Sequence, residues 1–478
     1  MKTWAHTSIL VHYRKSVIQK IKRSWVLSVF VVLMVYVFGV ISILAVPVER
    51  VTNLKDSLAR KIGVIEKPIY LQTIDTSRYS FSLQNGEVFD GVFQLAQYSI
   101  SNFSAIERFS GDLFSFRISS KGYEKKYLGN VFKQLGFPSN PEAANEGYKI
   151  DKAGNKLSSE ISISATAFDI DYAFGRLYLS VTSPSEDQTC TTLSLFSFTA
   201  IDAGEIDLDS ANRMFRTPCI LDKMNPTMWG GRITHSEVKI FLSIGEQRYD
   251  PSGFPKTDVV SVSEIGNKDS VFGKVLEFER DGEDFRIFAS GLRNAQGLYF
   301  SSDENELFES EHGPFGGDEV NLLKYGENYG WPFRTFGKPY GIENGNVRDI
   351  TRAVNPASSI DLELAKFGAK SGNHAGFIPP IMSWIHSGSS GIGAGQLIKI
   401  QKESKFRDWH GDVLVAHMRD FSLRRMVLRE KSVVLDERIQ LGFRVRDFIL
   451  NDLGYLILST DEGRLLIYRT TSPEFQDK

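Results

Sequence analysis

Gly454-Tyr455-Leu456-Ile457-Leu458-Ser459 is a glycine turn followed by a short apolar run, and this pattern recurs along the chain. Gly175-Arg176-Leu177-Tyr178-Leu179-Ser180-Val181 and Gly273-Lys274-Val275-Leu276-Glu277-Phe278 repeat it between Ile161 and Arg469, and Lys239-Ile240-Phe241-Leu242-Ser243-Ile244 is a like run after a turn without glycine. Short runs of aliphatic, aromatic and β-branched residues set off by turn residues read as strands. No long amphipathic helix interrupts them, so the class is all-β: a sandwich, a barrel or a propeller. About 310 residues is large for one sandwich and divides into six blades of roughly fifty. The pattern alone leaves the number of blades open.

The N-terminal part reads differently. No residue from Ser24 to Val48 is charged, and an apolar run of about 20 residues suffices to cross a bilayer. Arg14, Lys15, Lys20, Lys22 and Arg23 precede it, and this basic side is expected to stay cytoplasmic. The run exceeds the apolar core of a cleavable signal, and Ile43-Leu44-Ala45 is a poor cleavage site. The expected layout is a cytoplasmic basic tail (1–23), a transmembrane anchor (24–48), a stalk and membrane-proximal extension (49–150), a propeller (151–470) and a tail (471–478). Within the extension, Tyr79-Ser80-Phe81-Ser82-Leu83 and Gly111–Ile118 alternate like strands, with Asn85-Gly86 and Asp90-Gly91 as turns. Residues 121–150 read as a polar connector. The propeller would then be periplasmic or extracellular on a single-pass membrane protein. Cys190 and Cys219, the two cysteines of the chain, suit one disulfide in that setting, with two free buried thiols as the alternative. A net charge of −2 over 478 residues gives no reason to expect nucleic acid.

Three constellations carry chemistry. Glu311-His312-Gly313-Pro314-Phe315-Gly316-Gly317-Asp318-Glu319-Val320-Asn321, followed by Asn328-Tyr329-Gly330-Trp331-Pro332, packs turn residues and carboxylates together. Carbonyls exposed by such a turn, with carboxylates behind them, are hard oxygen ligands suited to Ca²⁺; the bland alternative is a tight solvated loop. Leu292-Arg293-Asn294-Ala295-Gln296 offers a cationic fork and two amides between strand-like runs. Phe443-Arg444-Val445-Arg446-Asp447 places two arginines on one strand face, either converging on a carboxylated ligand or paired with Asp447 or Glu437. Arg419 is a further cation.

These motifs, in this order, resemble the soluble pyrroloquinoline quinone (PQQ)-dependent aldose and glucose/sorbosone dehydrogenases over roughly residues 155–470. Gly230-Gly231-Arg232-Ile233 through Ser243-Ile244-Gly245-Glu246 is similar to an earlier blade motif of that family, with glutamate at 246 where aspartate is usual. The resemblance implies a six-bladed β-propeller with a cofactor pocket at one mouth, preceded here by the transmembrane helix and a small strand-rich extension. It implies PQQ contacts from Arg293, Asn294, Gln296, Arg444 and Arg446. It implies Ca²⁺ on the carbonyls of Gly313 and Pro314, with Asp318 and Glu319 nearby. The implied reaction is oxidation of an aldose C1 hydroxyl to a lactone, with electrons passed to an acceptor partner.

One departure bears on turnover. The family's general base is a histidine in a His-x-Gly-Gly-Arg motif, and this chain reads Met228-Trp229-Gly230-Gly231-Arg232. A thioether cannot take the hydroxyl proton. No catalytic base is matched; of the eight histidines, His235, His312, His374 and His386 are weighed as substitutes, and Arg293 has an electrostatic role at most. Two readings follow: a membrane-anchored quinoprotein sugar dehydrogenase, or a non-catalytic propeller that binds a glycan, a small ligand or an envelope protein. Hydrolytic chemistry on calcium and a carboxylate finds no ordered motif.

Overall fold

Among the described residues six sheets of four or more strands are antiparallel meanders, the first strand lying innermost in all but the one that joins the two ends of the chain; a separate two-stranded hairpin pairs Ile342–Glu343 with Asn346–Val347. The computed structural model describes residues 71–475, except 72, 85–88, 120–121, 140–163, 186–188, 203, 221–227, 248–268, 281, 283, 314–315, 332–333, 338–341, 344–345, 348–376 and 385–390. Blade 1 is Phe93–Ser99, Asn102–Glu107, Asp112–Ser119 and Gly122–Asn130. Blades 2 to 5 begin with Thr166–Ala173, Gly230–His235, Ala295–Ser301 and Ala394–Lys399. Blade 6 takes Val445–Leu450, Tyr455–Thr460 and Arg464–Thr470 from the C-terminal part. Its fourth strand, Ser80–Leu83, comes from the other end of the chain and pairs antiparallel with Arg464–Thr470. The innermost strands touch in the order of blades 1, 2, 3, 4, 5 and 6, and the sixth returns to the first. The fold is a closed six-bladed propeller.

This corrects the expected boundaries. Residues 49–150 are not all stalk: Phe93–Asn130 is a full blade, Ser80–Leu83 closes the ring, and the expected connector supplies a strand and the short helix Val131–Leu135. The misreading has a physical source. Gly122–Asn130 is an outermost strand with mostly exposed residues, so it carries little of the apolar signal that marks a strand. The chain divides into Met1–Ile69 and Tyr70–Lys478. The expected tail, anchor and lower stalk fall in the first unit and lie outside the described residues. Among the described residues no helix is long and apolar enough to cross a membrane.

Apolar side chains fill the spaces between neighbouring blades. Phe103, Phe116, Ile457 and Leu465 join blades 1 and 6; Ile106, Ile170, Leu179 and Phe198 join blades 1 and 2. Tyr79 and Phe81 insert among Phe406, Trp409 and Phe475, with Phe81 6.0 Å from Phe406 between ring centres. Cys190 and Cys219 form a disulfide, Cα to Cα 5.7 Å, beside the bridge between Thr191 and Ile220.

The axis is polar. Arg232, 3% exposed, sits on the innermost strand of blade 3. Its guanidinium donates to Gln94 of blade 1 (2.7 Å), Asp169 of blade 2 (3.3 Å), Gln396 of blade 5 (3.2 Å) and Asp447 of blade 6 (3.2 Å). Gly230 and Gly231 make this reach possible, with φ of 64° and 80°. A Cβ on Gly231 would lie 2.6 Å from Phe168 Cβ, so no other residue fits that turn without displacement.

Two outcomes test the closure and the hub. Phe81→Ala should cost about 3–5 kcal/mol by emptying a filled aromatic site, read as a lower urea midpoint. Arg232→Met should cost a similar amount, about 3–5 kcal/mol, because Asp169 and Asp447 lose their shared cation. That loss should shrink on acidification, as both carboxyls take up protons.

Candidate functional site

The start of each innermost strand meets the end of the second strand of its own blade. The registers Gly230↔Ile244, Ala295↔Glu311, Ala394↔His417 and Val445↔Thr460 fix this mouth in blades 3 to 6. A small cavity below it is lined by Gln94, Arg108, Arg232, Gln296, Met418 and Arg446, among others. Gln94 and Arg108 come from blade 1, the part of the chain that motif reading places outside the propeller.

Most of the expected site residues gather here. Arg293 and Asn294 directly precede the innermost strand of blade 4, and Gln296 lies on it. Arg293 Nη1 donates to the carbonyls of His312 (2.8 Å) and Gly313 (2.9 Å), while its amide N–H donates to the Glu311 carboxylate. The guanidinium lies 5.4 Å from the Trp331 ring centre. Asn294 accepts from the His312 amide through its carbonyl and from Gln296 through Oδ1 (3.0 Å). Glu246 is fully buried, and its amide donates to the Arg293 carbonyl (2.9 Å).

Arg444 and Arg446 converge, but on Asp461 rather than on either expected partner. Arg444 Nε donates at 2.9 Å and Arg446 Nε at 2.6 Å. Asp447 serves Arg232 instead, and Glu437 serves Arg425 (2.6 Å). Asp461 follows directly on the second strand of blade 6, so hairpin register brings it beside the arginines. Burial opposes its charge, yet Arg446 and Arg444 hold its carboxyl well below the usual range.

Charge at the mouth is readable from two neighbours. Burial, then the positive fields of Arg293, Arg446 and Arg444, push the His312 imidazole down to about 3. Cations of blades 4 and 6 thus act on one ring, whose Nε2 is buried and makes no hydrogen bond among the described residues. Burial pushes Glu311 up to about 7 against the opposing Arg293 amide and charge.

His235 is not at this mouth. It ends the innermost strand of blade 3, five residues beyond Gly230, which is about 16 Å at 3.3 Å per residue. There its Nδ1 pairs with Asp171 at 2.7 Å. Met228 is 6% exposed in the turn leading into that strand, so the position expected to carry a base holds a thioether. Pro314, Pro332, His374 and His386 lie outside the described residues. Motif reading missed Asp461 and Gln94. It also missed His417, which is fully buried edge-on to Trp384 (4.5 Å).

An anionic planar ligand fits this donor set, because fixed guanidiniums and amides converge where such a ligand's carboxylates would need cations. Of the two carbonyls expected to hold calcium, that of Gly313 accepts one hydrogen bond from Arg293 and keeps a second lone pair, and Pro314 lies outside the described residues. The Asp318 carboxylate accepts the backbone N–H groups of Gly313, Gly393 and Ala394. Glu319 is pushed well above the carboxylate range by burial, then by the charge of Glu311. Among the described residues no three His, Cys, Asp or Glu side chains are placed to hold a metal.

Comparison with known proteins places this mouth in a family. The glucose/sorbosone dehydrogenase family model matches residues 166–469. The chain belongs to that family. Aldose sugar dehydrogenase YliI of Escherichia coli is 28% identical over 250 residues, 50% of this chain and 59% of that protein. The uncharacterized protein slr1608 of Synechocystis is 28% identical over 217 residues, 42% of this chain and 46% of that one. The chain therefore spans about half the length of these relatives. Among solved structures, the apo form of the soluble Escherichia coli aldose sugar dehydrogenase superposes with a TM-score of 0.56 at 21% identity, covering 80% of this chain and 99% of that one. The PQQ-bound aldose sugar dehydrogenase of Streptomyces coelicolor gives 0.50 at 18% identity, over 84% and 100%. At these identities the structures bear on the fold alone, which agrees with the six-bladed glucose/sorbosone dehydrogenase architecture. The family match begins at residue 166, whereas the ring it belongs to begins with blade 1.

The His235–Asp171 pair gives a test at the opposite end of the channel. Burial lowers the imidazole's affinity for a proton, but the Asp171 carboxylate outweighs it and the net shift is upward. A raised folded-state value means the pair's stabilisation is complete below about 6.5, the usual histidine value, and is lost as pH rises through the folded value. Asp171→Asn should move the His235 titration to lower pH in an NMR series and flatten that part of the stability profile.

Proposed function

We propose that this protein is a PQQ-dependent sugar dehydrogenase that oxidises an aldose at C1 to its lactone. The observation that carries the reading is the placing of Arg293 at the start of blade 4's innermost strand, and of Arg444 and Arg446 at the start of blade 6's, on one mouth of a glucose/sorbosone dehydrogenase propeller. In this reading Arg293 and Asn294 orient the ligand from blade 4. Arg444 and Arg446 neutralise its carboxylates from blade 6, and Gln296 faces it from the channel wall. When bound, PQQ supplies the two-electron acceptor for the hydride that leaves C1. The C1 hydroxyl proton needs its own acceptor, and Met228 offers none.

The N-terminal apolar run is read as an anchor that keeps the propeller on the periplasmic or extracellular side, where a separate acceptor would collect the electrons. The reading keeps the Ca²⁺ that the resemblance implies: the Gly313 carbonyl, which accepts one hydrogen bond from Arg293 and has a second lone pair, would help to hold it, with Asp318 and Glu319 nearby.

A second reading rests on Met228. A propeller that keeps its cationic mouth but lacks the base would bind its ligand, or a glycan or envelope protein, without turnover. One reconstitution separates the two. PQQ is titrated into the protein, its binding is followed by quinone absorbance, and dye reduction is measured over a panel of aldoses. Sugar-dependent dye reduction by the native chain supports the dehydrogenase. PQQ binding without turnover, with activity rising at least about tenfold in Met228→His, supports the binding protein. Absence of PQQ binding sinks both quinone readings.

A further inference from the structure

We infer that Arg108 of blade 1 is a ligand-binding residue, and that with Arg446 of blade 6 it forms a carboxylate subsite in the cavity below the mouth. The carboxylate belongs either to the quinone of the reading above or to an acidic sugar, so only the first source rests on that reading. The register Phe93↔Glu107 gives blade 1 the same mouth geometry as blades 3 to 6, and Arg108 directly follows the second strand. It is 8% exposed. Its amide N–H donates to the Val92 carbonyl (2.8 Å), and its carbonyl accepts from the Ala167 amide (2.9 Å). Its Nε donates to the Ala167 carbonyl (3.0 Å), and its guanidinium lies 5.2 Å from the Phe168 ring centre. Blade 2 thus holds the fork of Arg108 in one place.

Charge and shape point to one ligand class. Arg108, Arg232 and Arg446 line the cavity from blades 1, 3 and 6, and among the described residues no Asp or Glu lines it. Asp169 and Asp447 offset Arg232 from outside the cavity, and Asp461 is divided between Arg444 and Arg446. A wall with cations and no anion favours a negative ligand. A planar guanidinium meets a carboxylate through two parallel hydrogen bonds, a match that a flexible ammonium lacks. Phe168 and Met418 supply apolar surface for the rest of the ligand. Because Arg108 is already fixed, little side-chain freedom is lost when the ligand arrives.

The test uses the full chain, with two titrations that do not share a ligand. PQQ is followed by equilibrium dialysis; glucuronate, with glucose as its neutral counterpart, is followed by calorimetry without PQQ. Arg108→Gln should weaken at least one of the two carboxylated ligands by about tenfold or more, with Arg108→Lys intermediate and glucose unchanged. A loss confined to PQQ assigns the subsite to the quinone's carboxylate, and a loss confined to glucuronate assigns it to the sugar's. Affinities for both within about twofold of the native chain overturn the inference. So does a loss that glucose shares in full, which marks a structural role. If PQQ does not bind the native chain, the functional reading fails, and glucuronate decides the subsite: binding that depends on Arg108 keeps it, and any other result removes it. Should Arg108→Gln fail to fold, Arg108→Lys decides, because it keeps the charge but not the fork. A loss of about threefold or more for a carboxylated ligand, with glucose unchanged, then supports the subsite, and no loss overturns it.

Discussion

The buried guanidinium of Arg232 is the interaction on which the propeller's centre depends. Five of the six blades meet at it: its own, and those of Gln94, Asp169, Gln396 and Asp447. Blades pack by apolar faces, which are non-directional and set spacing but not angular position. A five-donor fork with partners at defined distances sets that position. Two carboxylates against one guanidinium leave excess negative charge when both are ionised, and burial opposes that charge by pushing both carboxyls upward. The backbone N–H groups of Ile233 and Leu95, bonded to Asp169 and Asp447, help to contain that charge. Breaking the pairing would expose unpaired buried charge on several blades at once.

The mouth above the hub follows from the same geometry. Starts of innermost strands and ends of second strands lie side by side, so residues far apart in sequence become neighbours at corresponding positions of each blade. Arg293 with Glu311 and Arg446 with Asp461 are two instances of one arrangement. The site is therefore a property of the ring, and blade 1 takes part in it through Gln94 and Arg108 although the family match begins only at residue 166.

Much of this was legible in the chain. Glycine turns followed by apolar runs gave the class. The ordered motifs around Arg293, Glu311 and Arg446 pointed to residues that do gather at one mouth, and Met228 was visible as the departure. What stayed hidden is partner choice and closure. Asp447 sits next to Arg446 in sequence but faces Arg232, because strand alternation turns neighbours to opposite sides. The bulge between Val445 and Asp447 shifts the local register further. Blade 1 precedes the stretch that the ordered motifs cover, and its outermost strand is too polar to read as one. Ring closure left no local trace, since Ser80–Leu83 and Arg464–Thr470 look like ordinary strands until they are paired.

That pairing has a consequence for how the molecule comes into being. Ser80 accepts a hydrogen bond from the hydroxyl of Thr470, 390 residues further along. A ribosome delivers the first strand of this pair long before the last. Until the C-terminal hairpin emerges, Ser80–Leu83 is an exposed edge with Phe81 beside it and no sheet to join, the kind of edge that invites association with other chains. Closure of so long a loop is slow, and the intermediate is exposed in the meantime. The ring is thus completed only once the C-terminal hairpin has been delivered, and its stability as a circle is unavailable to the chain before then.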